Sequence, residues 1–130
     1  MQPLRSVLVG LVLVLSMALP AFAAETAPFE QARFAAAQKD GRPILVDISA
    51  SWCPICAAQK PIIDRLSAKP EFRNLIIFRV DFDKQKDAVR GFNAQMQSTL
   101  IGFKGTKETG RSVGDTEEPS IQHLLKSTLG

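Results

Sequence analysis

Hydrophobic residues along this chain follow two spacings in turn, and the alternation predicts helices and strands. Short runs rich in Ile, Leu, Val and Phe, apolar at every position, are typical of buried strands. Longer stretches with apolar residues three or four positions apart are typical of helices. The pattern predicts helices over 28–39, 53–68, 85–94 and 119–129. It predicts strands over 44–49, 75–82, 99–104 and 109–113.

Helices and strands alternate until the last two strands, which follow each other across the hairpin-like segment 105–107. Alternation of this kind indicates a layered α/β fold, and the closing hairpin makes its sheet of about four strands mixed rather than wholly parallel. At the start of the first helix, Thr26 is expected to act as the cap and Pro28 to lie in the first turn.

The first 23 residues carry a different pattern. Arg5 is the only charged residue before Glu25, and an apolar run over 7–19 precedes the Ala-Phe-Ala sequence at 21–23. A short positive region, an apolar run and an A-x-A site are the parts of a secretory signal peptide. We expect cleavage after Ala23, because the apolar run is short for a membrane span of about 20 residues. An uncleaved anchor is the alternative.

The remaining chain, residues 24–130, has 107 residues, which suits one domain with one hydrophobic core. Without Arg5 it holds 15 basic and 13 acidic residues, a net charge of +2. The basic residues are scattered and do not alternate with aromatic residues, which argues against a nucleic-acid-binding protein. Export would place the domain in an oxidising compartment, the periplasm in our interpretation, where disulfides persist.

Both cysteines lie in the segment 51–56, Ser-Trp-Cys-Pro-Ile-Cys, between a predicted strand and a predicted helix. A bond between Cys53 and Cys56 closes too small a ring to stabilise the fold much, so a structural disulfide is the weaker interpretation. At such a junction, backbone N–H groups and the helix dipole favour a thiolate at the first cysteine. That thiolate can attack a disulfide, and the second cysteine is near enough to resolve the mixed disulfide.

Acidic residues near this segment are further candidates. Asp47 lies in an apolar strand six residues before Cys53. An ionised carboxylate is costly there, so burial should raise its pKa; we interpret it as a functional acid, with an edge position facing water as the alternative. Asp81 and Asp83 close the next strand without a third ligand nearby, so we expect a solvated strand end rather than a metal site. His123, the only histidine, is expected on the surface.

Taken together, these segments resemble the thioredoxin superfamily over nearly all of residues 24–130. The resemblance lies in an apolar strand with an aspartate, a Trp-Cys-x-x-Cys motif, a proline inside the next helix, and a closing hairpin. The matching positions are 44–47, 51–56, 61, 80–83, 98–104 and 113–114. The resemblance implies a three-layer α/β sandwich, with a central mixed sheet flanked by helices, and a redox-active cysteine pair without a cofactor.

The resemblance also implies roles by position. Cys53 would be the exposed nucleophile, Cys56 the buried resolving thiol, and Asp47 the acid beneath them that accepts the proton of Cys56. Trp52 would shield the site and shape the substrate surface. The other positions assigned to that surface are Pro54, Ile55, Gln97, Ser98 and Thr99. Neither residue between the cysteines offers the thiolate a charge or a hydrogen bond, which argues against the most oxidising members of the superfamily.

The chain departs from the family at Ser98, where the family carries a cis-proline that faces the dithiol. A cis bond before a non-proline residue costs about 3–4 kcal/mol, so we expect the Gln97–Ser98 bond to be trans. Without the proline ring, a soft metal could reach both sulfurs. A module that binds Cu(I) or Zn(II) through Cys53 and Cys56 is therefore one alternative, and a non-catalytic binding domain is another.

The favoured hypothesis is an exported thiol–disulfide oxidoreductase that exchanges the Cys53–Cys56 pair with protein substrates, as a reductant rather than an oxidant. An exported reductant needs a source of electrons, so we expect a membrane electron donor as a second partner. We expect no nucleic acid and no resident metal.

Overall fold

The computed structural model describes residues 23–130, and the predicted signal peptide lies outside them except for Ala23. The strands are β1 Glu25–Pro28, β2 Pro43–Ser49, β3 Ile76–Asp81, β4 Thr99–Lys104 and β5 Lys107–Val113. The helices are α1 Gln31–Lys39, α2 Pro54–Ser67, α3 Lys86–Gly91 and α4 Glu118–Ser127, with a 3-10 turn at Pro70–Phe72. Within the described residues, no helix is both long and apolar enough to cross a membrane.

The strands form one mixed sheet in the order β1-β3-β2-β4-β5. β3 pairs in parallel with both β1 and β2, whereas β4 pairs antiparallel with β2 and with β5. This arrangement places β2, the strand that leads into the cysteine motif, at the centre of the sheet. The predicted mixed sheet is confirmed, with five strands rather than about four.

The additional strand is β1, a segment that we expected to begin the first helix. Thr26 lies opposite Ile77 of β3 and does not cap a helix, and Pro28 ends the strand instead of opening a helical turn. The helix begins only at Gln31. A proline is tolerated in a strand at the edge of a sheet, where its missing N–H removes no ladder bond on the open side.

Helices cover both faces of the sheet, so the predicted three-layer sandwich is confirmed. Alternate residues of each strand point to opposite faces, and each face has its own apolar core. The core under α1 and α3 includes Phe29, Phe34, Ile44, Val46, Ile48, Phe78, Val80, Val89, Ile101 and Phe103. The core under α2 and α4 includes Leu45, Ile63, Leu66, Ile77, Leu100, Ile121, Leu124 and Leu125. His123 is exposed on α4, as predicted.

Helix α2 carries the second cysteine and fixes its position over the sheet. Pro54 occupies the first turn, where a missing N–H removes no helical bond, and Pro61 lies inside the helix on its exposed side. The residues that α2 buries are Cys56, Gln59, Ile63, Leu66 and Ser67. Their spacing of three or four places Cys56 on the same face as the core residues.

Candidate active site

Cys53 is the N-cap of α2 and receives a hydrogen bond from the helix backbone. Its φ and ψ are −88° and 111°, which is extended backbone, and its Sγ accepts a hydrogen bond from the Cys56 N–H at 3.1 Å. The Cys53 N–H in turn donates to the Ala50 carbonyl at 3.2 Å, which closes the turn after β2. A negative charge on the Cys53 sulfur would therefore face the positive end of the helix.

Both cysteines are free thiols and both are buried, with 4% of Cys53 and 9% of Cys56 exposed. The prediction of an exposed Cys53 is wrong. A cap residue directs its side chain toward the first helical N–H groups, and this turns the Cys53 sulfur inward. Trp52 and Ile55 are exposed large apolar residues of the motif, with exposed fractions of 58% and 43%, and Pro54 is exposed as well.

The surroundings of Cys56 keep it protonated. Burial, followed by the side-chain hydrogen bond with Cys53, raises the pKa of Cys56 to about 11. The backbones of Ala50 and Ser98 act in the opposite direction and lower this pKa. Cys56 is therefore a thiol at neutral pH, and it needs a base before it can attack a disulfide.

Asp47 is buried at the centre of the sheet, with only 4% of its surface exposed, so the alternative of a solvent-facing edge position is wrong. Burial raises the pKa of Asp47, as predicted, and the charge of Arg79 lowers it. Arg79 lies directly opposite Asp47 in the pairing of β2 with β3. Two exposed residues of α2 act more weakly, Asp64 raising this pKa and Lys60 lowering it.

One pocket of about 560 Å³ brings these groups together. It lies between α2 and the edge of the sheet formed by β1 and β3. Its lining includes both cysteines, Asp47, Lys60 and Arg79. Three of the predicted site residues therefore share one cavity, with a base candidate and a protonated thiol on its walls.

A family model described as Thioredoxin matches residues 25–127 of this chain. The chain belongs to the thioredoxin family. It is 40% identical to the solved structure of Trxlp from Edwardsiella tarda EIB202, with a TM-score of 0.76 and coverage of 78% of this chain and 98% of that one. It is 31% identical over 91 residues to a Thioredoxin H-type of Brassica campestris, covering 70% of this chain and 72% of that protein.

A further relative is Thioredoxin Asp f 29 of Aspergillus fumigatus, 29% identical over 90 residues, which cover 69% of this chain and 81% of that protein. Thioredoxins are thiol–disulfide oxidoreductases that use a redox-active cysteine pair and no cofactor. The enzyme class predicted from the sequence is therefore confirmed. In residues 23–130, no group of three or more His, Cys, Asp or Glu side chains is arranged to hold a metal ion.

In this thioredoxin, Trp52 is held by the end of the next strand. Its indole Nε1 donates to Asp83 Oδ2 at 2.8 Å. Asp81, the other acid of the pair, accepts hydrogen bonds from the backbone N–H groups of Asp83 and Lys84 at 3.0 Å. The two acids therefore shape a turn and orient the tryptophan.

At the family's cis-proline position this chain has a buried Ser98 that is preceded by a trans peptide bond. Among residues 23–130 there is no cis peptide bond, so the prediction for Gln97–Ser98 is confirmed. Ser98 has a φ of +59°, in the left-handed region, and its side chain is buried. Gln97 is half-buried and Thr99 is buried, whereas Met96, which precedes them, is 51% exposed. Met96 is an apolar surface residue that the sequence analysis missed.

Gln59 and Arg79 were also missed, although each left a signal in the sequence. Gln59 lies three residues after Cys56 and four before Ile63, so it is a polar residue in the middle of an apolar helical stripe. Arg79 is a charged residue inside an apolar strand. Both departures from the pattern mark side chains that reach the site.

Proposed function

We propose that this thioredoxin is an exported reductant of protein disulfides and receives its electrons from a membrane donor. The observation that carries the direction is the environment of the Cys53 sulfur. Among the described residues, the hydrogen bonds to the Cys53 sulfur come from the backbone N–H and the thiol of Cys56. Pro54 and Ile55 bring neither charge nor donor. In the strongly oxidising dithiol proteins the reduced form is specially stabilised, so a site that offers the Cys53 thiolate few stabilising groups favours a reductant.

The exchange proceeds in two balanced steps. The Cys53 thiolate attacks one sulfur of a substrate disulfide, forms a mixed disulfide with it, and releases the other sulfur as a thiolate that takes up a proton. The Asp47 carboxylate then accepts the Cys56 proton, and Cys56 attacks the Cys53 sulfur. The second substrate thiol leaves, and the Cys53–Cys56 disulfide remains. Two electrons pass to the substrate, and a donor dithiol must return them.

The surface around the motif suits a protein substrate. Trp52, Ile55, Met96 and Val113 are large apolar residues with exposed fractions between 43% and 58%. Val113 lies opposite Thr99 in the β4–β5 pairing, beside the Ser98 loop. An extended segment of a partner could contact these side chains while its disulfide meets Cys53.

The direction of electron flow is tested by the equilibrium of the Cys53–Cys56 pair against glutathione. We expect a potential near that of thioredoxin, about −270 mV. A potential near about −120 mV, at the strongly oxidising end of the range for such dithiols, would contradict the proposal and indicate a disulfide donor. Export is tested separately, by expressing the full chain and sequencing the N-terminus of the protein from the periplasmic fraction. We expect Ala24 as the first residue, and a cytoplasmic protein with an intact leader would refute export.

A further inference from the structure

Ser98 lies in a backbone conformation that needs support. Its φ of +59° is uncommon for a residue with a side chain, and a trans peptide precedes it. The Ser98 hydroxyl donates to the Gln97 carbonyl at 2.5 Å, a bond within the loop itself. The Ser98 carbonyl accepts from the Gly114 N–H at 3.0 Å, which ties the loop to the end of β5. A further contact comes from α2.

That contact is the side chain of Gln59. Its Nε2 donates to the Ser98 carbonyl at 3.3 Å and to the Asp115 carbonyl at 2.8 Å. Since both acceptors are carbonyl oxygens, only the NH₂ end of the amide can face them, and this fixes its orientation. One side chain thus joins the cysteine-bearing helix to the Ser98 loop and to the segment that follows β5.

Gln59 occupies this position at an energetic disadvantage. It is 1% exposed, and its Oε1 is buried without a hydrogen-bond partner among the described residues. A buried acceptor without a partner destabilises a fold, and an apolar residue would continue the stripe that Cys56 and Ile63 define. A polar residue retained where an apolar one would pack better suggests a role besides packing.

The Ser98 backbone also acts on the second cysteine. It lowers the pKa of Cys56, against the larger effect of burial, and so favours the thiolate form of the attacking sulfur. Gln59 therefore lies one helical turn from Cys56 along the chain, and through space it bonds the carbonyl of Ser98, the residue whose backbone favours the Cys56 thiolate.

We propose that Gln59 is a positioning residue for the disulfide exchange: by bonding the Ser98 carbonyl, its amide fixes the Ser98 loop relative to the helix that carries Cys56. In this chain it supplies from the helix the restraint that a proline ring would supply from the loop. The proposal concerns the resolving step of the family's exchange reaction and holds whichever direction the electrons flow.

The test is a single-turnover measurement on Gln59→Met, which keeps the shape of the side chain and removes its donor. Cys53 is loaded with thionitrobenzoate, and release of the coloured thiol reports the attack by Cys56. We expect release to slow about ten-fold, the factor that one hydrogen bond of ordinary net strength supplies. The matched control is Ile63→Val, which removes a methyl group from the core one turn further along α2 and should leave the rate unchanged.

A second measurement follows the loop itself. Hydrogen exchange of the Gly114 amide, which donates to Ser98, should quicken in Gln59→Met and not in Ile63→Val. Release within two-fold of the wild-type rate in Gln59→Met would overturn the proposal, as would equal slowing in both variants, which would show a general loss of stability. Neither result bears on the potential of the Cys53–Cys56 pair against glutathione. Failure of the role proposed for Gln59 is therefore distinct from failure of the proposed function.

Discussion

Replacing Asp47 with Asn should impair the resolving step by an amount that depends on pH. The pKa of Cys56 is raised from 9.0 to about 11. At pH 7 the thiolate fraction of Cys56 is then about two orders of magnitude below that of a thiol with a pKa of 9.0. A general base typically contributes about 10²–10⁴ in rate. Asp47→Asn should therefore slow the attack by Cys56 at neutral pH at least about 100-fold.

Release of thionitrobenzoate from loaded Cys53, followed from neutral to alkaline pH, measures this step. In Asp47→Asn the rate should rise about tenfold per pH unit and level off only in alkaline solution, because burial still raises the pKa of Cys56 and the thiol must ionise without a base. The wild-type rate should depend less on pH and meet that of the variant at the alkaline end. Asp87→Asn, which removes a carboxylate that is 95% exposed on α3, is the control and should keep the wild-type profile. Equal rates for Asp47→Asn and wild type at neutral pH would refute Asp47 as the base.

Three further outcomes concern stability. The pKa of Asp47 in the folded protein is raised above 3.8, so its contribution to the free energy of unfolding is fully present below pH 3.8 and is lost as pH rises through the folded pKa. In urea unfolding, Asp47→Asn should therefore be more stable than wild type at neutral pH and no more stable in acid. Phe34→Ala should lose about 3–5 kcal/mol in the same assay, since the ring is buried within 5.7 Å of four others, and should leave exchange intact. Ser98→Pro should lose at least about 1 kcal/mol, because proline fixes φ near −65° and Ser98 has +59°.

The centre of the fold could be predicted from the sequence because its signals are local. The strand over 43–49 is apolar apart from Asp47 and Ser49, and the helix over 54–67 has apolar residues at helical spacing. The change between the two patterns falls within the cysteine motif. Pro54 and the cap at Cys53 both suit the start of a helix, so the junction could be located closely. The buried acid followed from one charged residue in an apolar run.

The features that were missed depend on contacts between distant parts of the chain. Strand β1 is four residues of Glu-Thr-Ala-Pro with no strand-like period, and it forms because the edge of β3 offers free backbone groups. The burial of Cys53 depends on which way a cap residue turns, which periodicity does not report. Trp52 meets Asp83 across 31 positions, and Gln59 meets Asp115 across 56.

The central claim is that Cys53, although buried, is the sulfur that attacks substrate. Its most direct test is to mix Cys56→Ser and Cys53→Ser, each reduced, with a protein that carries an accessible disulfide, and to identify the adducts by mass. The account predicts a stable mixed disulfide on Cys53 in Cys56→Ser, released by dithiothreitol, and little or none on Cys56 in Cys53→Ser. Adducts on Cys56 alone, or on neither cysteine, would contradict it.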